Sequence, residues 1–167
     1  LEIDRVVVVD PRRTETARMV GTHVPIVPDT DAAFLLSLLY VVFDERLERR
    51  DVITNHGNGI EELRLATRAF SPERVSRLTR IPADTIRDIA RRFALEDGAF
   101  CHVSTGVNQG TYGTIAYAAK IALELVTGNL DRAGGALLPR GAIDTARLLR
   151  RLGIDEEPEF ESRVGAF

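Results

Sequence analysis

The run Arg5-Val6-Val7-Val8-Val9-Asp10-Pro11-Arg12-Arg13-Thr14 sets the fold class of this chain. Consecutive β-branched residues without polar alternation suit a strand buried on both faces, and Pro11 ends it after Asp10. Thr14 then offers a hydroxyl to cap a short helix through Met19. A second short strand is expected near Val24-Pro25-Ile26-Val27, and the gap from Val9 is just long enough for a parallel crossover through a helix. Pro28-Asp29-Thr30-Asp31 opens a helix predicted to run to about Glu48, with Thr30 or Asp29 supplying an oxygen to its free N–H groups. Its first three turns are apolar all round, which predicts burial. Arg46, Arg49 and Arg50 fall in its last turn, where cations are favoured.

Working outward, residues 51–97 read as helical and polar. Ser71-Pro72-Glu73 and Ile81-Pro82-Ala83-Asp84 place proline at a first helical position with acids close behind. Ile86, Ile89, Ala90 and Phe93 fall at i, i+3, i+4 and i+7, one apolar face. Arg87, Arg91 and Arg92 lie opposite, on a face expected to be solvated, with Asp88 able to pair with Arg92. Ala99-Phe100-Cys101-His102-Val103-Ser104 predicts a third strand, and a glycine-rich turn runs from Thr105 to Gly113. An apolar helix from Thr114 to Val126 ends at Gly128, which can take the left-handed conformation that terminates helices. Strands alternating with helices indicate an α/β fold with a Rossmann-like parallel sheet and flanking helices. Three strands are few for such a sheet, so the chain is expected to be an incomplete domain excised from a larger enzyme. The expected division is 1–141 as the α/β domain, with a helical insertion at about 51–97, and 142–167 as a short helix and poorly ordered tail.

The 167 residues are 44% hydrophobic and 28% charged, the balance of a globular domain. The formal net charge of −3 carries no footprint for nucleic acid. Lys120 is the only lysine among the 22 basic residues, a bias that points to coding composition more than to phosphate recognition. One cysteine, Cys101, excludes an internal disulfide and a self-contained iron–sulfur or Cys-rich zinc site. The longest apolar run, from Ala32 to Phe43, is well short of the roughly 20 residues that span a bilayer. No direct membrane contact is expected, and the cytoplasm is the expected compartment.

Ligands of open parallel sheets lie beyond the carboxyl ends of the strands, near helix N-termini. Three segments meet that condition: Asp10-Pro11-Arg12-Arg13-Thr14 after the first strand; Asp29-Thr30-Asp31 at the head of the buried helix; and Thr105 to Gln109 after the third, with Thr105, Gly106, Asn108 and Gln109 as its candidates. Short polar side chains suit phosphates, ribose hydroxyls and a base edge. A carboxylate such as Asp31 can accept from both N1–H and the N2 amino group of guanine, a pair that adenine lacks. Taken singly, these are also ordinary cap and turn residues.

The residues Val7 to Ala17 and Pro25 to Ala32 resemble the molybdopterin guanine dinucleotide oxidoreductases, the family of dimethyl-sulfoxide reductase, formate dehydrogenase and nitrate reductase. So do Gly106-Val107-Asn108-Gln109 and the block from Leu125 to Gly135, in the same order and at suitable spacing. The resemblance covers roughly residues 4–141 of the chain. It implies a domain for one of two pyranopterin cofactors (the bis-molybdopterin guanine dinucleotide form) holding molybdenum or tungsten. Asp10, Arg12 and Thr14 would wrap the ribose and diphosphate end. Thr30 and Asp31 would sit at the guanine, Gly106 would let backbone approach the cofactor, and Gln109 would hydrogen-bond it through its amide. The family usually has glycine where Asp29 stands, often Ala-Asp at Val20-Gly21, and proline at Ala133.

The resemblance also implies an iron–sulfur cluster and a metal-ligating residue upstream, and a further domain gripping both pterins. No residue here is expected to ligate the metal or perform the redox step, which belongs to the metal and its dithiolenes. Cys101 and His102 are adjacent in a strand and face opposite ways, so they cannot chelate one ion together. The implied partners are the remaining domains of the parent enzyme and a small substrate of two-electron redox. The alternative is a molybdenum-free relative, the large iron–sulfur subunit of respiratory NADH dehydrogenase. The polar residues kept at Asp10, Asp31 and Gln109 argue against it.

Overall fold

The computed structural model describes residues 5–138, 149 and 151–153. The predicted tail, 142–167, lies outside the described residues except at those last positions. Strand β1 (Val7–Val9) pairs in parallel with β2 (Thr22–Val24), in the register Val7↔Thr22, Val8↔His23 and Val9↔Val24. Helix α1 (Glu15–Met19) makes the crossover, and the Thr14 hydroxyl accepts from the Ala17 N–H at 3.3 Å, the expected cap. The return from α1 passes through Gly21 at φ 65°, where a Cβ would lie 1.8 Å from the Val6 carbonyl oxygen. That oxygen accepts from the Thr22 N–H at 2.8 Å, so the glycine lets the second strand start flush against the first.

The second strand sits earlier than the sequence reading placed it. Pro25 has no N–H to continue a ladder, and the Val27 N–H donates to the Thr79 carbonyl at 3.1 Å instead of to a strand. The chain therefore leaves the sheet after Val24 and is pinned to the helical middle section.

Helix α2 (Asp31–Asp44) is the centre of the core. Leu39 and Val42 are wholly buried, and Leu35, Leu38 and Val41 nearly so. Around it lie α4 (Ile60–Thr67), α5 (Pro72–Thr79), α6 (Ala83–Leu95) and α8 (Gly113–Val126), which cover it on several sides. Full burial of one such aliphatic side chain contributes about 1.5–3 kcal/mol, so a helix with nine buried residues anchors the domain.

Two expectations for α2 fail. The Thr30 hydroxyl does not cap it but donates backwards to the Val27 carbonyl at 2.7 Å, and Asp29 turns to another partner. The helix also stops at Asp44, short of Glu48. Arg46 adopts the left-handed conformation at φ 57°, and the Leu47 N–H closes back on the Val42 carbonyl at 2.8 Å, with Leu47 packed on the core.

Helix α3 (Arg50–His56) and the three polar helices after it fill the middle as expected. Pro72 opens α5, whereas Pro82 stands one position before α6. Ile86 and Ala90 are wholly buried, with Ile89 and Phe93 packed beside them. The arginine face is more than solvated. Arg91 makes a two-pronged pair with Glu45 at 2.7 and 2.9 Å, tying α6 to the end of α2, and Arg87 reaches Glu73 on α5.

The predicted third strand is extended chain without a ladder. Ala99, Cys101 and Val103 alternate inward, with Phe100, His102 and Ser104 outward, as a strand would. Its inward N–H groups go to side chains: Ala99 donates to Asn129 Oδ1 at 3.1 Å and Cys101 to Glu124 Oε1 at 3.2 Å. Two acceptors from α8 and its following turn thus stand where a neighbouring strand would be. Among the described residues the wound sheet reduces to two parallel strands, and helices supply most of the core.

Replacing Gly21 with alanine is expected to cost about 2–3 kcal/mol, since a side chain there meets both a forbidden φ and the Val6 carbonyl. A urea denaturation series should show the lowered midpoint, and an unchanged midpoint would remove the packing argument.

Candidate functional site

The first turn is built on the end of β1. The Asp10 N–H donates to the Val24 carbonyl at 3.3 Å, and the Asp10 carbonyl lies 2.9 Å from His23 Nε2, so β2 holds its backbone on both sides. The Asp10 carboxylate accepts from the Arg12 N–H at 2.7 Å, folding the turn back on itself. Beside it Arg12, Arg13, Thr14, Glu15 and Arg18 line a shallow, open cleft. Three guanidiniums against one carboxylate give that cleft the charge and the donors for a phosphate.

The second turn presents Asp31 in the first turn of α2, partly buried. Burial pushes its carboxyl above the ordinary range, its own backbone N–H opposes this, and the nearby carboxylates of Asp29 and Asp10 push it further up. The Asp10 carboxylate thus lies near enough to act on that of Asp31, which makes the first two turns neighbours. Asp29, beside them, stands at φ 65°. For a residue with a Cβ that conformation costs on the order of 1 kcal/mol, less for Asp than for most.

The third turn holds a short helix, α7 (Thr105–Asn108), where the sequence suggested irregular chain. Thr105, Gly106, Asn108 and Gln109 are exposed, and a Cβ on Gly106 would meet nothing within 4 Å. Thr111 joins this turn to the second one: its N–H donates to Asp29 Oδ1 and its hydroxyl to Asp29 Oδ2, both at 2.7 Å. Hydrogen bonds therefore link the second and third segments named from sequence, and the Asp10 carboxylate of the first lies near enough to Asp31 to act on it.

Beneath the third turn lies a buried polar group. Glu124 is wholly buried, with Lys120 Nζ 2.7 Å from its carboxylate and the Cys101 N–H on its other oxygen. Burial raises the Glu124 carboxyl, while Lys120 and the Cys101 N–H pull it back. The Lys120 ammonium also sits over the Phe100 ring, 5.3 Å from its centroid. Burial, and then the Glu124 charge, push the Cys101 thiol up to about 11. Among the described residues, no group of three or more His, Cys, Asp or Glu could hold a metal ion. No helix among them is long and apolar enough to cross a membrane.

No family model matches the chain. It is 32% identical over 126 residues to the catalytic subunit of the assimilatory nitrate reductase of Bacillus subtilis, a match covering 75% of this chain and 18% of that protein. Formate dehydrogenase H of Escherichia coli is 29% identical over 135 residues, covering 81% of this chain and 19% of that one. The solved structure of acetylene hydratase from Pelobacter acetylenicus superposes with a TM-score of 0.72 at 29% identity, over 78% of this chain and 18% of that chain. The chain belongs to the molybdopterin oxidoreductase family. It spans about one fifth of the length of these relatives. The similarity covers about 80% of the chain, and the fold found here, helices around a small parallel sheet, is shared with the acetylene hydratase structure.

Thr111, Glu124 and Asn129 were not singled out as site residues from sequence. Glu124 had a legible signal: it is the one acid in an apolar helix, four residues after the only lysine. The tie between Asp29 and Thr111 spans 82 residues and leaves no local pattern.

At pH 8 a thiol near 11 is thiolate about a hundredfold less often than an ordinary one, so alkylation of Cys101 should be slower by about that factor in the folded chain than in urea. The folded state holds this proton more tightly, so its contribution to stability is present below about pH 9 and lost as pH climbs toward 11. Equal labelling rates in both states would contradict the burial.

Proposed function

We propose that this chain is the guanine-nucleotide-binding part of a molybdenum or tungsten oxidoreductase that uses bis-molybdopterin guanine dinucleotide. The linkage of the three polar turns along one rim carries this reading. Chemically, the rim is divided. Its arginine cleft at Arg12, Arg13 and Arg18 suits the diphosphate, with Asp10 and Thr14 shaping the loop that presents it. The carboxylate side, centred on Asp31, repels phosphate and suits the N1–H and N2 amino donors of guanine. Thr30, whose hydroxyl is turned to Val27, would contribute its backbone, and Gly106 opens onto free space where a ligand can come close. Thr105, Asn108 and Gln109 would supply further exposed polar groups along the cofactor.

When bound, the metal and its dithiolenes would supply two-electron redox chemistry to a small substrate. This chain's own residues bind and orient the nucleotide tail, and the fragment alone carries no catalytic group. The reaction is not fixed by this module, since the relatives are named for formate dehydrogenation, nitrate reduction and acetylene hydration. In this reading 1–141 is the cofactor domain, with 51–97 as its helical insertion and 142–167 as a short helix and tail. The rest of the parent would bring the iron–sulfur cluster and the second pterin's grip, and would cover Phe100, Ile115 and Ile121, which are large, apolar and about half exposed here. A cytoplasmic, nucleic-acid-free setting completes the proposal.

The experiment is a titration of the chain with guanosine and adenosine monophosphates, followed by amide shifts. Guanosine monophosphate should bind weakly, yet about tenfold better than the adenosine nucleotide, and Asp31→Asn should abolish the difference. Binding needs the Asp31 carboxylate as acceptor. Its carboxyl is raised above 3.8, so affinity is full above that raised value and lost as pH falls through it. Equal affinity for both nucleotides, or an Asp31→Asn chain that still discriminates, would refute the assignment.

A further inference from the structure

We infer that Asp29 is a positioning residue that locks the second and third turns of the rim together and so sets the spacing between Asp31 and Gln109. The inference rests on the guanine-nucleotide reading above and adds to it a residue that touches no ligand.

Three features of the structure support it. Asp29 is held at φ 65°, a conformation that side chains with a Cβ adopt rarely and keep only where their surroundings hold them there. Both its oxygens are engaged by one residue, Oδ1 by the Thr111 N–H and Oδ2 by the Thr111 hydroxyl, each at 2.7 Å. Two bonds fix the plane of the carboxylate as well as its distance, which a single bond would not. The third feature is the space that permits this: a Cβ on Gly110 would stand 2.4 Å from Asp29 Oδ1, so any larger residue would push the turns apart.

The third turn needs such a tether. Its backbone bonds are local, from the Gln109 N–H to Thr105, the Gly110 N–H to Val107 and the Gly113 N–H to Gly110. Val107 seats one side of it against the core, while Thr105, Asn108 and Gln109 face water. Such an exposed turn opens readily without a distant anchor. Asp29 is two residues from Asp31, and Thr111 is two residues from Gln109, so the bond between them bridges the two groups proposed to meet the nucleotide.

The test uses the 167-residue chain with Asp29→Gly, Asp29→Asn and Thr111→Val, reading hydrogen exchange at the Thr111 amide and affinity for guanosine monophosphate. Glycine relieves the left-handed backbone, so Asp29→Gly should fold with an undiminished thermal midpoint and lose only the tether. Thr111 exchange should then quicken about tenfold and affinity fall about fivefold. Asn tolerates the same backbone and keeps an acceptor, so Asp29→Asn should restore most of both, while Thr111→Val, which keeps the N–H, should fall between.

Unchanged Thr111 exchange in Asp29→Gly would overturn the tether itself. Faster exchange with unaltered affinity would overturn its positioning role. A wild-type chain that takes guanosine and adenosine monophosphates alike would overturn the underlying reading and this inference with it, whereas loss of discrimination on Asp31→Asn alone leaves the two separable.

Discussion

A helix with as little polar surface as α2 can persist only if other elements cover it, and that requirement organises the molecule. Its sides are taken by α8, α6, α5 and α4, with the short sheet at its N-terminal approach through Val24 and Ile26. A covered helix can meet solvent only at its ends. The C-terminal end is closed by the left-handed Arg46 and tied by Arg91 to Glu45. The N-terminal end emerges beside the ends of the strands, with Asp31 in its first turn. The placement of the candidate site thus follows from the burial of the core helix.

The same rim sorts charge over a short distance. Arg12, Arg13 and Arg18 line one cleft, while the carboxylates of Asp10 and Asp29 lie near that of Asp31. Charges of like sign would drift apart in a flexible loop. Here Asp10 is fixed by the second strand and its own turn, and Asp29 by Thr111. In the proposed reading, a nucleotide reversed end for end would put its phosphates against carboxylates and its base against guanidiniums.

Much of this was legible in the residues. Thr14 as a cap, the apolar all-round pattern of α2 and the face of Ile86, Ile89, Ala90 and Phe93 are local signals that the structure follows, and the β-branched run at Val7 forms its strand, though half-buried and not covered on both faces. The three turns could be named because each sits between an extended segment and a helix. What failed was set at long range or by competition. Pro25 gave up its place in the second strand because Val27 found a carbonyl on α5, and residues 99–104 lack a ladder because Asn129 and Glu124 take their N–H groups. The end of α2 moved because Arg46, a residue with no turn signature, entered the left-handed region.

The bond from Val27 to Thr79 has a mechanical consequence. The segment between Val24 and Asp31 is held at Val27 by the last carbonyl of α5, inside the polar helical stretch, as well as by the sheet it leaves. The turn that bears Asp29 therefore depends on two elements far apart in the chain, and loosening α5 would be felt there as well as in the core.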